Sequence, residues 1–205
     1  MDDLNLMAVI ARRIWLRRNK LIFESSFSHP QIMYSEAVAH LEELVPPPVG
    51  LIKVNWDASI NTIKEWVGIG IVARDHSGNV LGAKSLTKKV VATPKLAEAM
   101  AAYKAVIFCK DVGFYEIILE GDAKQIVDDV NSRSPKHDVS GLFVKGINME
   151  MQGLRGVTIA HVNREANNVA HLLAKEASTL EMDGVWLEEC PTFILNAVLR
   201  EPLSS

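Results

Sequence analysis

Hydrophobic and polar residues alternate with a period of two in three consecutive segments between residues 51 and 88. This alternation is typical of half-buried β-strands, and it predicts strands at 51–60, 66–75 and 80–88. The residues DHSGNV between the second and third strands favour a tight turn, because Asp, Ser, Gly and Asn are all turn formers. We therefore expect an antiparallel meander of three strands.

After the meander the apolar residues recur with a helical period. Thr93 is a suitable N-cap for a helix over 93–113, with Pro94 at the first helical position and Gly113 just past the end. The remaining predicted elements are a strand at 114–122, helices at 123–132 and 138–154, a strand at 156–162, a helix at 167–179 and a short helix in the tail. This order predicts the α/β class, with helices flanking a mixed five-stranded sheet built from the meander plus two parallel strands.

The first part of the chain has another pattern. Apolar residues at helical spacing predict an amphipathic helix over 4–24 and a second helix over 30–44. The basic side of the first helix is consistent with a solvated face, or with a contact to nucleic acid or to a protein partner. The run VPPPVG at 45–50 cannot continue a helix, because proline lacks the amide hydrogen. We therefore predict a helical N-terminal extension at 1–45 and an α/β domain at 46–200.

Composition narrows the functional classes. The 205 residues carry a formal net charge of −3, so binding to nucleic acid needs a local basic patch or metal ions. The two cysteines, Cys109 and Cys190, lack C-x-x-C spacing, which argues against a structural zinc site. The N-terminal segment is acidic at its start and interrupted by arginines, unlike a secretory signal or a membrane span. We expect an intracellular protein of the nucleus or cytoplasm that does not bind a membrane.

Three acidic residues stand at positions that a surface role explains poorly. Asp57 interrupts the first strand, and Asp122 follows the fourth strand at its carboxyl end, where ligand sites form in open α/β sheets. Glu98 shares a helix face with Ala101 and Ala102, and these small residues would let the helix approach the sheet. Converging carboxylates repel one another unless cations neutralise them, and their oxygens suit Mg²⁺ or Mn²⁺. Two such ions about 4 Å apart can clamp a phosphodiester for attack by water. Their positions alone are also compatible with three ordinary acidic residues that lie on the surface or cap helices.

Five segments occur in order along the chain: KVNWDAS, GIGIVARDHSGNVL, KLAEAMAAYKAV, IILEGDAKQIV and HVNREANNVAHLLAKEA. Together they resemble the ribonuclease H type-1 domain, in the reverse transcriptase-like version found in plant non-LTR retrotransposons and in genes derived from them. The resemblance covers about residues 46–199. It implies the ribonuclease H-like fold and an endonuclease that cleaves the RNA strand of RNA–DNA hybrids with two divalent ions, Mg²⁺ or Mn²⁺.

The resemblance also implies roles for individual residues. Asp57, Glu98 and Asp122 match the family's catalytic metal ligands. His161 matches a mobile histidine that is thought to help product release or proton transfer. Thr93 matches a threonine that holds a substrate phosphate.

Three features of the sequence depart from the family pattern. Asn167 matches an asparagine that we assign to substrate binding, but four residues later His171 replaces the aspartate that serves as fourth metal ligand. Val91 replaces an arginine that often accompanies the phosphate-binding threonine. The segment NSRSPKHDVSG is too short for the basic extension of many bacterial members. These changes predict weaker hybrid binding and reduced activity.

Three alternatives therefore remain open at this point. The first is an active, monomeric, hybrid-specific ribonuclease in which His171 completes the second ion site. The second is a catalytically weak or inactive nucleic-acid-binding module derived from a retrotransposon, with the basic N-terminal helix contributing phosphate contacts. A structural role or a gene fragment without activity is the third alternative.

Overall fold

The computed structural model describes residues 46–132, 138–180 and 183–198, together with the isolated position Ile14. The predicted N-terminal helices lie outside these residues apart from Ile14, so the extension at 1–45 and its boundary stay predictions. No helix within the described ranges is long and apolar enough to cross a lipid bilayer.

Six strands and five helices make up the described part of the chain. In chain order they are β1 (Ile52–Asn61), β2 (Trp66–Arg74), β3 (Val80–Lys89), α1 (Pro94–Asp111), β4 (Glu116–Gly121), α2 (Lys124–Asn131), α3 (Val139–Met151), β5 (Gly156–His161), α4 (Asn168–Leu180), β6 (Gly184–Leu187) and α5 (Thr192–Val198). The strands form one sheet in the order β5-β4-β1-β2-β3-β6. β4 pairs in parallel with β1 and β5, and the other neighbours are antiparallel.

This architecture confirms the predicted mixed α/β fold, including the three-stranded meander and the two parallel strands. The predicted number of five strands is wrong, because β6 pairs antiparallel with β3 as a sixth strand. β6 has only four residues, and its apolar Val185 and Leu187 are more than half exposed. A strand this short leaves too little alternation in the sequence to be recognised.

A hydrophobic core lies on each face of the sheet, because successive side chains of a strand point to opposite sides. On one face, Val54 and Trp56 of β1 are fully buried in a cluster that includes residues of α1, α2 and α3. On the other face, Val72 of β2 packs with Leu173 of α4 and Ile194 of α5. The sheet is therefore sandwiched between two helical layers.

Gly68 and Gly70 let α4 approach β2 very closely. A Cβ at Gly70 would lie 2.2 Å from the carbonyl oxygen of Ala170, and one at Gly68 would lie 2.1 Å from that of Ala174. These distances are far below van der Waals contact, so only glycine fits at either position. Because Asp57 pairs with Gly70 across the β1–β2 ladder, this close approach brings the start of α4 next to Asp57.

Candidate active site

Asp57 and Asp122 meet because β1 and β4 are adjacent parallel strands. The register places Trp56 opposite Gly121, and each of these residues is followed directly by one of the two aspartates. A Cβ on Gly121 would lie 2.4 Å from the indole ring of Trp56, so a larger residue would push the strands apart. The packing of indole against glycine thus holds two carboxylates at the same end of the sheet.

A buried polar network links the same two strands beside the aspartates. Glu120 accepts a hydrogen bond from the Asn55 amide at 3.2 Å and forms an ion pair with Lys53, also at 3.2 Å. All three residues are less than a tenth exposed. Burial raises the pKa of Glu120, and the positive charge of Lys53 opposes that rise. β1 and β4 are therefore joined by charged side chains as well as by their backbone ladder.

Glu98 reaches the two aspartates from α1. Ala101 and Ala102 are fully buried, so this face of the helix lies close to the sheet. One carboxylate oxygen from each of Asp57, Glu98 and Asp122 lies within 4.8 Å of the other two. The structure thus brings together the three acidic residues that the sequence singled out, and we call them the carboxylate cluster.

The environment of the carboxylate cluster disfavours negative charge. Burial, together with the charges of Asp57 and Asp122, raises the pKa of Glu98 to about 9. Burial also raises the pKa of Asp57, which is only 1% exposed. Oε2 of Glu98 is buried and has no hydrogen-bond partner among the described residues. An oxygen in this position needs a proton or a cation, so the cluster fits a hard divalent ion.

We expect Glu98→Gln to stabilise the metal-free protein at alkaline pH. The pKa of Glu98 is about 9 in the folded protein and about 4.5 in an unfolded chain. Between pH 4.5 and pH 9 the folded protein therefore holds a proton on Glu98 that the unfolded chain has lost. The stability of the wild type must then fall as pH rises from 4.5 to 9, and the neutral amide removes that loss. In EDTA the gain of unfolding free energy in the variant should be larger at pH 8 than at pH 5 by about 4 kcal/mol.

Urea denaturation at pH 5 and pH 8 measures this effect. The two proteins should differ little at pH 5, where the glutamic acid of the folded state keeps its proton. Glu189→Gln is the matched control, because Glu189 is exposed. An equal stability of Glu98→Gln and wild type at both pH values would contradict the assigned pKa.

His171 lies beside Asp57 in the first turn of α4. Its Nδ1 forms a hydrogen bond of 2.8 Å with Oδ2 of Asp57. A divalent ion bound by both atoms would take the place of the proton between them. Among the described residues, the group that lies within one shell comprises only the three carboxylates. His171 is therefore at the edge of the cluster, in contact with one of its members.

Asn167 fixes the start of α4 against β1. Its Nδ2 donates a hydrogen bond of 2.8 Å to the carbonyl oxygen of Trp56. The N–H of His171 in turn donates to the carbonyl oxygen of Asn167 at 3.0 Å. Asn167 is only 1% exposed, and its role in substrate binding stays a prediction. Its hydrogen bonds assign it to positioning His171 relative to β1.

Thr93 and His161 lie on the elements that carry Glu98 and neighbour Asp122, respectively. Thr93 is exposed and caps α1, where its Oγ1 accepts a hydrogen bond from the N–H of Leu96 at 3.3 Å. His161 is exposed at the end of β5, in register with Gly121, the residue before Asp122. Both side chains are accessible to a ligand that approaches the cluster, and their roles with substrate stay predictions.

Arg164 also belongs to the site, although the sequence pattern did not identify it as a candidate. Its Nη2 lies 3.3 Å from both ring nitrogens of His171, and its Nη1 lies 3.6 Å from Oδ2 of Asp122. The positive charge of Arg164 also opposes the rise in the pKa of Glu98. Arg164 belongs to the loop between β5 and α4, and only the path of that loop brings it to the cluster.

Comparison with solved structures shows the ribonuclease H fold. The chain resembles RNase H1 of the halophilic archaeon Halobacterium salinarum, with a TM-score of 0.59 and 22% identity over 65% of this chain and 100% of that chain. It also resembles LC11-RNase H1, solved in complex with an RNA/DNA hybrid, with a TM-score of 0.58 and 22% identity over 63% of this chain and 98% of that chain. The N-terminal RNase H domain of a Mycobacterium tuberculosis protein gives a TM-score of 0.58 and 21% identity over 63% and 94% of the two chains.

Sequence comparison shows the family. No curated protein matches the chain. A family model described as reverse transcriptase-like matches residues 55–177, which is more than half of the chain and includes the carboxylate cluster and His171. The protein therefore belongs to the reverse transcriptase-like family.

Proposed function

We propose that this protein is a divalent-metal-dependent endonuclease that cleaves the RNA strand of RNA–DNA hybrids. The observation that carries the proposal is the convergence of Asp57, Glu98 and Asp122 within 4.8 Å, with one oxygen of Glu98 buried and unpartnered. The ribonuclease H fold and the reverse transcriptase-like family support it. LC11-RNase H1, which shares the fold, was solved with an RNA/DNA hybrid.

We assign the binding of divalent ions to four residues of the site. Asp57, Glu98 and Asp122 would hold two divalent ions, and His171 would share one of them with Asp57. When bound, Mg²⁺ or Mn²⁺ activates the attacking water and stabilises the leaving oxygen. Hybrid recognition would rest on duplex shape and on 2′-hydroxyl groups rather than on base sequence.

Thr93 and His161 would act on the substrate beside the metal ligands. Thr93 stands at the N-terminus of α1, where free backbone N–H groups favour a phosphate. His161 ends β5 beside the strand that carries Asp122, which suits transfer of a proton or release of product.

A cleavage assay tests the proposal directly. Purified protein is incubated with an RNA–DNA hybrid labelled on the RNA strand, in Mg²⁺, in Mn²⁺ or in EDTA, beside RNA–RNA and DNA–DNA duplexes. We expect metal-dependent cleavage of the hybrid's RNA strand only. Failure to cleave in either ion, together with measurable binding of the hybrid, would overturn the nuclease proposal.

That outcome would favour the second function, a nucleic-acid-binding module with little or no catalysis. Val91 supports this alternative, because it is 75% exposed at the position where the resembling family often has an arginine. An exposed apolar side chain there contributes no charge toward a phosphate. His171 supports it as well, because imidazole replaces a carboxylate next to Asp57.

We expect His171→Asp to raise Mg²⁺-supported cleavage several-fold. Mg²⁺ prefers oxygen ligands to imidazole, so a carboxylate beside Asp57 should strengthen its binding. Initial rates measured across a Mg²⁺ titration would show a higher maximal rate or a lower half-saturating concentration. His76→Asp is the control, because His76 is exposed in the turn between β2 and β3. An unchanged or lower rate for His171→Asp would exclude this position as a limiting metal ligand.

A further inference from the structure

Arg164 places a positive charge directly against the carboxylate cluster. One end of its guanidinium lies 3.6 Å from Oδ2 of Asp122, and the other lies 3.3 Å from both ring nitrogens of His171. The Arg164 side chain is 67% exposed, so these contacts hold it, rather than burial in a core. Asp57 and Asp122 carry like charges close to each other, so a cation in this position stabilises the arrangement.

The contacts of Arg164 involve the atoms that a metal ion would use. Asp122 is a member of the carboxylate cluster, and the imidazole nitrogens of His171 are the only ligand atoms that this side chain offers. A guanidinium and a divalent ion are both positive, so at this distance they repel each other and compete for Asp122 and for the ring nitrogen of His171 that carries a lone pair. Ions that fill the site therefore weaken these contacts of Arg164 and favour its displacement.

We propose that Arg164 is a built-in counter-cation of the metal site, which divalent ions displace from Asp122 and His171 when they bind. The proposal rests on the proposed function to the extent that the cluster must bind divalent ions. Arg164 then stabilises the metal-free protein and raises the ion concentration at which the site fills. The exchange makes Arg164 a positioning residue for metal loading, distinct from the ligands themselves.

Thermodynamic linkage gives this proposal a signature that a purely structural role lacks. If Arg164 stabilises only the metal-free protein, the free energy of metal binding is weaker by the same amount. Arg164→Gln should therefore lower the melting temperature in EDTA and strengthen ion binding together. At saturating ion concentration the melting temperatures of variant and wild type should coincide. An arginine that merely supported the loop would lower the melting temperature under both conditions.

The test measures Mn²⁺ binding by electron paramagnetic resonance, and melting temperature in EDTA and in saturating Mn²⁺. We expect Arg164→Gln to bind Mn²⁺ about 3- to 10-fold more tightly than wild type, a modest factor because the side chain is exposed. Arg164→Lys should fall between the two, since lysine keeps the charge but lacks the planar fork. Arg155→Gln is the matched control, because Arg155 is 74% exposed and faces Glu116 at 4.0 Å.

Two results would overturn the proposal. The first is Mn²⁺ affinity of Arg164→Gln equal to or weaker than that of wild type. The second is an equal loss of melting temperature with and without Mn²⁺. A wild type that binds Mn²⁺ no better than Asp57→Asn would instead overturn the proposed function, and the counter-cation proposal with it. The two failures are therefore distinguishable without any cleavage assay.

Discussion

Asp57→Asn should reduce metal-dependent cleavage of the hybrid by at least about 1,000-fold. Asp57 occupies the centre of the site, because it lies within 4.8 Å of Glu98 and Asp122 and 2.8 Å from His171. The amide keeps the shape of the side chain but removes the negative charge that two neighbouring ions would share. Initial rates on an RNA-labelled hybrid in Mg²⁺ and in Mn²⁺ measure the loss.

The same substitution should leave the protein folded. The pKa of Asp57 is raised by burial, so its carboxylate is costly to ionise and a neutral amide relieves that cost. Circular dichroism and melting in EDTA would show this. Asp128→Asn is the control for charge removal, because Asp128 lies on α2 with a side chain that is 60% exposed. Cleavage by Asp57→Asn within about tenfold of wild type would place the catalytic centre elsewhere.

Gly70→Ala is expected to destabilise the fold by about 3 kcal/mol or more and to disable the site as well. The added Cβ would lie 2.2 Å from the carbonyl oxygen of Ala170 and 2.4 Å from the amide nitrogen of Ala174. Both are backbone atoms, so no change of rotamer relieves the clash and α4 must move away from β2. His171 follows Ala170 directly and would be carried away from Asp57.

Chemical denaturation measures the loss of stability, and hybrid cleavage under conditions that keep the variant folded measures the loss of function. Gly156→Ala is the matched control, because a Cβ at Gly156 meets only Glu116 at an ordinary 3.8 Å. Wild-type stability in Gly70→Ala would show that the contact between β2 and α4 is looser than described.

The members of the carboxylate cluster could be selected from the sequence because each breaks its local pattern. Asp57 interrupts an apolar strand, Asp122 ends one, and Glu98 lies on a helix face of small residues. Their convergence could not be predicted from these patterns. It depends on the parallel pairing of β1 with β4, and on the fit of the Trp56 ring against Gly121, two residues far apart in the chain.

Asn167 and Arg164 show which properties of single residues a sequence motif predicts and which it leaves open. Both belong to the segment HVNREANNVAHLLAKEA, which carries the family resemblance. The motif suggested a substrate contact for Asn167, which stays a prediction, and the structure adds a buried hydrogen bond from this side chain to the carbonyl oxygen of Trp56. It suggested nothing for Arg164, which contacts both His171 and Asp122. A motif specifies which residues recur, whereas accessibility and contact depend on how the loop packs.

The sequence by itself determined the α/β class, the meander and the succession of helices, because periods of two and of 3.6 residues are local properties of strands and helices. It also supplied the acidic residues of the candidate site. Only the tertiary structure decided that β6 joins the sheet, that Arg164 and His171 meet at the cluster, and that Gly70 admits α4. These features depend on contacts between segments distant in the chain, and such contacts leave no periodic trace in the order of residues.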